Sequence, residues 1–297
     1  MIKEALARSW AWRHLSLKRK LEIKRRYYKL DKKIADIFFS YDADKFTAAL
    51  RKLGVVAGDT LLVHSSFKMN NGFKGNAHDI IECLLKAIGP NGNLLMVSLP
   101  YTSSSYEYLM KQSTFDVRRT PSMMGMISEM FRRKGGVLRS MSPTHPVLAY
   151  GEKSAWIVEG HEYCVYPCGK GSPFEKLRTL NGKVLFFDVA FPFTFFHYIE
   201  DLIKDTLPIS LYTEEPITTK VVNYEGETIT VKSFAYPKRI YSTRRTRMLE
   251  DRLIKEHMLE KMRIGRSTLK LIKVEDAIRC TYKMLKEKVE FYPEPRS

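Results

Sequence analysis

Short apolar runs alternate with amphipathic stretches through the middle of the chain. Residues 61–64 and 93–99 are apolar runs of the length expected of buried strands. Between them a helix is predicted over residues 79–88, with Asn76 as its N-cap. Residues 60–99 are therefore predicted to form a β-loop-α-β unit whose two strands run parallel.

The same patterns divide the rest of the chain. Apolar and polar residues alternate over 208–229, which predicts a hairpin around Tyr224-Glu225-Gly226. The other predicted elements are, in chain order, a helix ending at Leu53, a long loop over 100–122, a helix over 123–134, a strand near 147–150, a helix within 152–162, a helix capped by Ser172, helical structure in the second half of 238–264, a strand over 269–274 and a helix over 275–288.

The stretch 183–200 joins a predicted strand to a predicted helix that carries two titratable residues. The chain turns at Pro192 and enters the helix near Thr194, and His197 and Glu200 follow, three residues apart. Because open α/β sheets commonly build active sites at the carboxyl ends of strands, this pair is the candidate catalytic centre. The alternative for His197 alone is a histidine packed in the core.

A second candidate site lies at the end of the first predicted strand. Ser65 and Ser66 follow that strand directly. Their backbone and hydroxyl groups suit a phosphate or an acyl carrier, and an ordinary serine turn is the alternative.

The composition is that of a globular protein without a membrane-spanning segment. Of the 297 residues, 44% are hydrophobic. No apolar run approaches the roughly 18 residues of a membrane span, and the N-terminus does not resemble a signal peptide, so we expect a soluble cytoplasmic protein. Cys83, Cys164, Cys168 and Cys280 form no regular framework, and the lone C-x-x-x-C pair predicts no metal site.

Nearly all of the net positive charge lies in two segments. Residues 1–37 contain twelve Lys or Arg and four Asp or Glu (12 − 4 = +8), and residues 238–273 contain the same numbers, so together they carry +16 of the net +17. A basic helix over 1–37 is typical of contact with an anionic membrane, of docking to a second subunit in a homodimer, or of a solvated face. No helix-turn-helix, RNA-recognition or zinc-finger spacing accompanies the charge, so no specific nucleic acid partner is expected.

Several short motifs follow one another in a fixed order. They are Gly58-Asp59 before His64-Ser65-Ser66, Arg139-Ser140 before Pro143-Thr144-His145 and Gly151, Gly171-Ser172-Pro173, Gly182-Lys183-Val184-Leu185, and His197-x-x-Glu200. This series resembles the aminoglycoside 3-N-acetyltransferase family, over roughly residues 42–288. The resemblance implies a three-layer α/β/α fold with a mixed, largely parallel central sheet. The expected organisation is a basic helical extension over 1–40, an acetyltransferase-like domain over 41–288 and a C-terminal tail over 289–297.

The resemblance also implies a reaction. An acetyl group would pass from acetyl-CoA to an amino group on a sugar, with His197 as the base and His64-Ser65-Ser66 beside the cofactor. The residues suit this chemistry, because a protonated amine is not nucleophilic and a neutral histidine can remove its proton. Glu200 would orient the ring or bind the cationic acceptor. Since a thioester is already activated, direct transfer without an acyl-enzyme is expected.

The candidate site residues fall into three groups. They are His197, Glu200 and His145 for catalysis, His64, Ser65, Ser66, Phe67, Arg139 and Ser140 for the cofactor, and Asp116, Ser142 and Asp188 for the substrate. Three of them depart from the family pattern, which tends to have histidine at Ser142, glycine at Asp188 and leucine at Phe67.

The positive charge of the chain bears on the acceptor. Polycationic aminoglycosides call for acidic pockets, whereas this chain is basic. The sequence therefore predicts an amino sugar linked to a nucleotide, a lipid or a polysaccharide, and a role in polysaccharide biosynthesis. Two alternatives stay open: an O-acyltransferase that acts on a sugar hydroxyl, and a non-catalytic scaffold that binds an anionic membrane or nucleic acid.

Overall fold

The computed structural model describes residues 14–68, 70–191 and 194–292. Its helices are α1 Leu17–Phe38, α2 Ala43–Leu53, α3 Ala77–Ile88, α4 Ser105–Met110, α5 Met126–Arg132, α6 Ser154–Val158, α7 Pro173–Thr179, α8 Phe196–Ile203, α9 Lys238–Thr243, α10 Arg247–Lys255 and α11 Val274–Lys286. Its strands are β1 Thr60–Ser65, β2 Asn93–Val97, β3 Phe115–Asp116, β4 Leu138–Arg139, β5 Val147–Gly151, β6 Lys183–Phe187, β7 Ile217–Val222, β8 Thr228–Ser233, β9 Leu259–Ile264 and β10 Ser267–Lys273.

The main sheet has seven described strands in the order β4-β5-β2-β1-β6-β10-β9. β1 runs parallel to β2 and β6, with Leu62 opposite Leu95 on one side and Val184 on the other. The outer strands β4, β5, β9 and β10 all pair antiparallel. The predicted mixed α/β fold and its parallel β1–β2 unit are confirmed, but the expectation of a largely parallel sheet is wrong. Short connections such as the β9–β10 turn at Gly265 allow only antiparallel neighbours.

Helices cover both faces of the main sheet. Successive side chains of a strand point to opposite faces, so Leu62 and Val184 enter a core formed with α7, α8 and α11. Leu61 and Leu185 enter the opposite core, formed with α2, α3 and α5. The core on the α8 side also contains Phe291 and Tyr292, which the sequence analysis assigned to a C-terminal tail.

The predicted hairpin is present as β7 and β8, and it belongs to a separate three-stranded sheet. β3 completes that sheet by pairing parallel with β7. Both β3 and α4 lie within residues 100–122, which the sequence analysis described as a loop. Elements this short contain too few residues to show a hydrophobic period.

The predicted caps Asn76 and Ser172 and the predicted helix end at Leu53 are present in the structure. Asp42 caps α2, Asn76 caps α3 in a capping box with Asp79, and Ser172 caps α7. Gly54 ends α2 at φ 108°, a conformation that glycine adopts without strain.

The helix α1 is the described part of the basic N-terminal segment, and residues 1–13 lie outside the described residues. It is attached near its C-terminal end, where Ala35 is buried and Asp31 pairs with Arg266 at 2.7 Å. The chain after α1 passes close to Gly72 and Gly265, because a Cβ at either glycine would collide with the carbonyl group of Phe39. Among the described helices, none combines the length and the apolar character needed to cross a membrane.

Candidate active site

Two adjoining cavities lie where β1, β2 and β6 end. The first has a volume of about 200 Å³ and is lined by Leu99, Tyr101, Thr102, Ser103, Met124, His145, Thr194, His197, Tyr241 and Arg244. The second has a volume of about 310 Å³ and is lined by Val63, His64, Ser65, Val97, Met124, Ser128, Val189, Ala190 and Thr194. Because Met124 and Thr194 belong to both linings, the two cavities are neighbours with a common wall. The predicted turn at Pro192 lies outside the described residues.

The structure brings His197 and Glu200 together on α8. His197 Nδ1 lies 2.7 Å from Glu200 Oε2, and both side chains are buried. Residues three apart on a helix share a face, so the short apolar helix delivers the pair as one unit. With a carboxylate accepting the hydrogen bond from Nδ1, the lone pair of the neutral imidazole resides on Nε2.

Arg244 completes this pair, and the sequence analysis did not single it out. Its Nε lies 2.7 Å from Glu200 Oε1, and its Nη2 donates to Glu200 Oε2 at 3.0 Å. The same Nη2 lies 3.2 Å from His197 Nδ1, and Nε also donates to the hydroxyl of Tyr292 at 3.1 Å. Arg244 follows α9 in the basic stretch 238–273. The one signal for its burial is that the apolar residues Ile240 and Tyr241 interrupt the charges there.

Burial and charge act on the protonation of this cluster. Burial lowers the pKa of His197 well below its ordinary value, and the guanidinium of Arg244 lowers it further. Burial raises the pKa of Glu200 to about 8, although the charge and the hydrogen bond of Arg244 lower it. The two close contacts with the guanidinium stabilise the carboxylate form of Glu200 when it is ionised. The arrangement therefore holds a neutral imidazole against a carboxyl group whose negative charge Arg244 can balance.

Aromatic rings enclose His197. The ring of Tyr236 lies 4.1 Å from the imidazole, measured between centroids, and Tyr241 meets it edge-on at 6.2 Å. The hydroxyl groups of Tyr236 and Tyr212 are 3.1 Å apart, and Tyr212 donates to Asp201 Oδ1 at 3.0 Å. This chain of hydrogen bonds fixes the Tyr236 ring, which is tilted by 38° against the imidazole. Its members are far apart in sequence, and the sequence analysis did not find them.

His145 lies beside His197. The two imidazole centroids are 5.2 Å apart with the rings nearly perpendicular. His145 Nδ1 bonds to Thr144 Oγ1 at 3.0 Å, and its backbone N–H donates to Ser142 Oγ at 3.2 Å. Burial lowers the pKa of His145, as do the neighbouring His197, His161 and Arg244. The structure thus places two neutral histidines in one cavity wall.

The candidate cofactor residues near β1 divide into two pairs. His64 and Ser65 line the second cavity. Burial lowers the pKa of His64 to about 4, so this imidazole is also neutral at pH 7. Ser66 donates its backbone N–H to Phe187 O at 2.9 Å, and Phe67 packs against the α2–α3 side of the core.

Arg139 and Ser140 line neither cavity. The guanidinium of Arg139 is buried, and it donates to the carbonyls of Thr120 at 2.5 Å and Ser98 at 2.6 Å. Ser140 Oγ accepts from Val147 N at 2.9 Å and bonds His161 Nδ1 at 2.7 Å. Both side chains fix the backbone around the site instead of facing either cavity.

The three candidate substrate residues also lie outside both cavity linings. The carboxylate of Asp116 accepts from the backbone N–H groups of Arg118 and Arg119. Ser142 Oγ accepts from His145 N, which places it behind His145. Asp188, at φ 55°, accepts from Ser267 Oγ at 2.9 Å and from Thr268 N at 2.8 Å, so its carboxylate joins β6 to β10.

The described residues contain no group of three or more His, Cys, Asp or Glu side chains arranged to hold a metal ion. All four cysteines are free, and Cys168 is fully buried. Burial raises the pKa of the Cys168 thiol well above its ordinary value. A thiol in that state is a poor metal ligand and a poor nucleophile.

Comparison with known sequences relates most of the chain to one family. The sequence profile of aminoglycoside 3-N-acetyltransferases matches residues 62–286. An aminoglycoside N(3)-acetyltransferase III from Acinetobacter baumannii is 32% identical over 168 residues, which is 52% of this chain and 58% of that protein. The prophage-derived aminoglycoside N(3')-acetyltransferase-like protein YokD of Bacillus subtilis is 27% identical over 179 residues, 54% of this chain and 65% of that protein. The chain thus spans about three fifths of the length of the curated relatives it matches.

Comparison with solved structures shows the same fold. The crystal structure of aminoglycoside acetyltransferase AAC(3)-Xa superposes with a TM-score of 0.73 at 20% identity, over 90% of this chain and 99% of that one. The structure of AAC-IIIb with CoASH superposes with a TM-score of 0.68 at 20% identity, over 86% and 99%. YokD from Bacillus subtilis superposes with a TM-score of 0.69 at 21% identity, over 85% and 97%.

Proposed function

The chain belongs to the aminoglycoside 3-N-acetyltransferase family, and on that premise we propose that it transfers an acetyl group from acetyl-CoA to an amino group of an aminoglycoside. The observation that carries the proposal is the buried His197–Glu200 pair in the wall of the first cavity. An amino-group acceptor needs a neutral base, and this histidine is held neutral.

The proposed reaction is a direct displacement. Nε2 of His197 removes a proton from the acceptor ammonium, and the freed nitrogen lone pair attacks the thioester carbonyl carbon. The tetrahedral intermediate then collapses with cleavage of the carbon–sulfur bond. The thiolate of CoA leaves and takes up the proton that His197 received, and the acceptor nitrogen releases its second proton to solvent. The products are the amide, the CoA thiol and one proton, and the enzyme returns to its starting state.

Glu200 and Arg244 set the properties of the base. The imidazolium that forms is stabilised by the Glu200 carboxylate 2.7 Å from Nδ1. The positive charge of Arg244 opposes that imidazolium, so the base gives its proton up readily. His145, in the same cavity wall, is positioned to contact the acceptor as a second neutral imidazole.

The two cavities suit the two substrates. We assign the acceptor to the first cavity, which contains His197, and the thioester end of acetyl-CoA to the second, where His64, Ser65 and Ser128 supply polar groups. The wall shared by the cavities, at Met124 and Thr194, brings the two substrates together.

The proposed acceptor differs from the one expected from charge alone. The basic composition predicted an amino sugar linked to a nucleotide, a lipid or a polysaccharide, whereas the related proteins are named for aminoglycosides. Hydroxyl groups of Tyr101, Thr102, Ser103 and Thr194 line the first cavity, and none of its described lining residues is an Asp or Glu. We therefore expect the acceptor ring to be held chiefly by hydrogen bonds to its hydroxyl groups, and aminoglycosides with few amino groups to be preferred.

The function is tested by product analysis. Purified protein with acetyl-CoA is offered a panel of aminoglycosides, and nucleotide-linked amino sugars form the contrasting arm. We expect release of CoA thiol with an aminoglycoside and a product one acetyl group heavier that survives mild alkali, as an amide does. An alkali-labile product would show transfer to a hydroxyl instead, and turnover confined to the nucleotide-linked sugars would contradict the proposed acceptor.

A further inference from the structure

The helix α1 has a feature that acetyl transfer does not require. It precedes the part of the chain that matches the family, which begins at residue 62, and none of its residues lines either cavity at the candidate site. The described contacts that attach it to the rest of the protein include the buried Ala35 and the ion pair of Asp31 in its C-terminal part. Several apolar side chains on another face of the helix are exposed.

One side of α1 is apolar and exposed. The exposed fractions are 58% for Leu30, 70% for Ile37 and 73% for Phe38, and Ile23 and Ile34 are also exposed. At about 100° per residue these five side chains fall within an arc of roughly 100°, so they form one continuous stripe. We call them the apolar ridge. An exposed apolar stripe of this length marks a surface that binds something apolar.

The other faces of α1 carry many cations, together with the exposed Leu17, Leu21 and Tyr28. The helix has nine Lys or Arg and three Asp or Glu (9 − 3 = +6). Two of the three acidic residues are already paired, Asp31 with Arg266 and Asp36 with Lys32. Arg19, Arg26 and Lys33 are exposed, recur every seven residues and run directly beside the apolar ridge. We call these three residues the basic flank.

The basic flank decides between the possible occupants of the ridge. If a second copy of α1 packed along the ridge, each basic flank would lie beside the seam and face other cations, which is repulsive. An anionic surface satisfies both features, because it attracts the flank and receives the ridge. Each Lys or Arg near such a surface strengthens binding by about fivefold.

We propose that α1 binds the surface of an anionic lipid bilayer, with the apolar ridge in the headgroup region and the basic flank against the lipid phosphates. The helix lies in the plane of the interface and does not span the membrane. Its attachment point, at Arg266 in the β9–β10 turn, lies at the end of the main sheet where β6 finishes and the two cavities begin. Binding therefore holds the cavity end of the sheet close to the lipid.

The test is cosedimentation of the full chain with vesicles. We expect binding to vesicles of equal parts phosphatidylcholine and phosphatidylserine, little binding to phosphatidylcholine alone, and loss of binding as salt is raised. The double variant Leu30→Glu/Ile37→Glu should abolish binding. Arg26→Gln/Lys33→Gln should weaken it by roughly 25-fold, since two basic contacts are lost.

Matched controls separate the ridge from general effects of charge. Val56→Glu/Ile254→Glu places the same substitutions on apolar residues that are exposed elsewhere, and Lys220→Gln/Lys232→Gln removes two exposed lysines of the small sheet. Both should bind vesicles like the wild type. Turnover without lipid should be unchanged in every ridge variant, so a failure of this proposal is distinguishable from a failure of the proposed reaction.

Two results would overturn the proposal. In the first, the wild type and the Leu30→Glu/Ile37→Glu variant bind the anionic vesicles equally well, or neither of them binds. The other is a wild-type dimer in solution that this variant converts to a monomer, because a second copy would then occupy the ridge. Equal unfolding temperatures of the wild type and the variant would show that neither result is caused by loss of the fold.

Discussion

Arg244 and the arginines of α1 carry the same charge in opposite environments. The side chain of Arg244 is 7% exposed and has both oxygens of Glu200 within contact distance. Arg19, Arg25 and Arg26 are exposed on a helix with a surplus of cations. A buried guanidinium must have a partner, because desolvation without one costs several kcal/mol, on the order given for buried ions. An exposed guanidinium is stabilised by water and has no such requirement.

The difference shows that the net charge of a segment does not predict whether its charged side chains are buried or exposed. The basic stretch 238–273 and the basic segment 1–37 carry equal charge, +8 each. In the first, Arg244 is buried against the carboxyl group of Glu200 and belongs to the candidate catalytic cluster. In the described part of the second, most of the Lys and Arg side chains are exposed. The two regions should therefore respond very differently to the same kind of substitution.

The largest effect is expected from Glu200→Gln. The amide preserves the shape of the side chain but cannot stabilise an imidazolium, and it offers a donor where His197 Nδ1–H needs an acceptor. We expect kcat to fall by about 10²–10⁴, the range found when a base loses its orienting carboxylate or its proton-transfer role. Steady-state kinetics with acetyl-CoA and the preferred aminoglycoside measures this effect. A wild-type kcat in this variant would show that Glu200 does not take part in the proposed reaction.

Arg244→Leu should produce the next largest effect, on stability. It leaves the Glu200 carboxylate buried without its cation, which costs about 3–5 kcal/mol of the free energy of unfolding. The double variant Arg244→Leu/Glu200→Leu removes both charges and should recover most of that loss, since an apolar pair can replace a buried ion pair. Urea unfolding of the single and double variants checks both statements. Equal losses in the two variants would contradict the pairing argument.

A smaller effect is expected in the pH dependence of kcat/KM. Burial and Arg244 lower the pKa of His197, so the imidazole stays neutral below its ordinary pKa of about 6.5. The acid limb of the profile should therefore lie below that pH. Removing the cation in Arg244→Gln favours the imidazolium and should move the acid limb to higher pH. An acid limb that stays in place, or moves down, would show that Arg244 does not act on His197.

The smallest effect is expected at the surface. Asp31→Asn breaks the ion pair with Arg266, whose two side chains are partly exposed to solvent. Such pairs contribute about 0–1 kcal/mol, and high salt should reduce even that. Thermal unfolding at low and high salt measures it. A loss of stability comparable to that of Arg244→Leu would contradict the expected difference between the buried and the exposed charges.

Local features of the fold were predictable and distant pairings were not. Asn76, Ser172 and Gly54 set helix ends through contacts with their neighbours, so their roles are visible in the sequence. The direction of the outer strands was missed, because it depends on how the chain returns to the sheet. The antiparallel pairing of β10 with β6 joins residues that are far apart in sequence, so no local pattern indicates it.

The site shows the same division. His197 and Glu200 are close in sequence, and their spacing on a predicted helix nominated them as candidates, which the structure shows in contact. Arg244 is 44 residues from Glu200, and Ser267 is 79 residues from Asp188. Asp188, the hardest residue to interpret from the sequence, is occupied in joining β6 to β10. Only the folded structure shows that Arg244 enters the candidate site and that Asp188 instead joins β6 to β10.

The most direct test of the account is kcat/KM of His197→Ala for aminoglycoside acetylation. This change leaves Glu200 and Arg244 paired, so the fold should persist, and His78→Ala on the surface of α3 is the matched control. The account predicts a fall of about 10²–10⁴ for His197→Ala at an unchanged unfolding temperature, and wild-type turnover for His78→Ala. Wild-type turnover in a folded His197→Ala variant would contradict the role of His197 as the base.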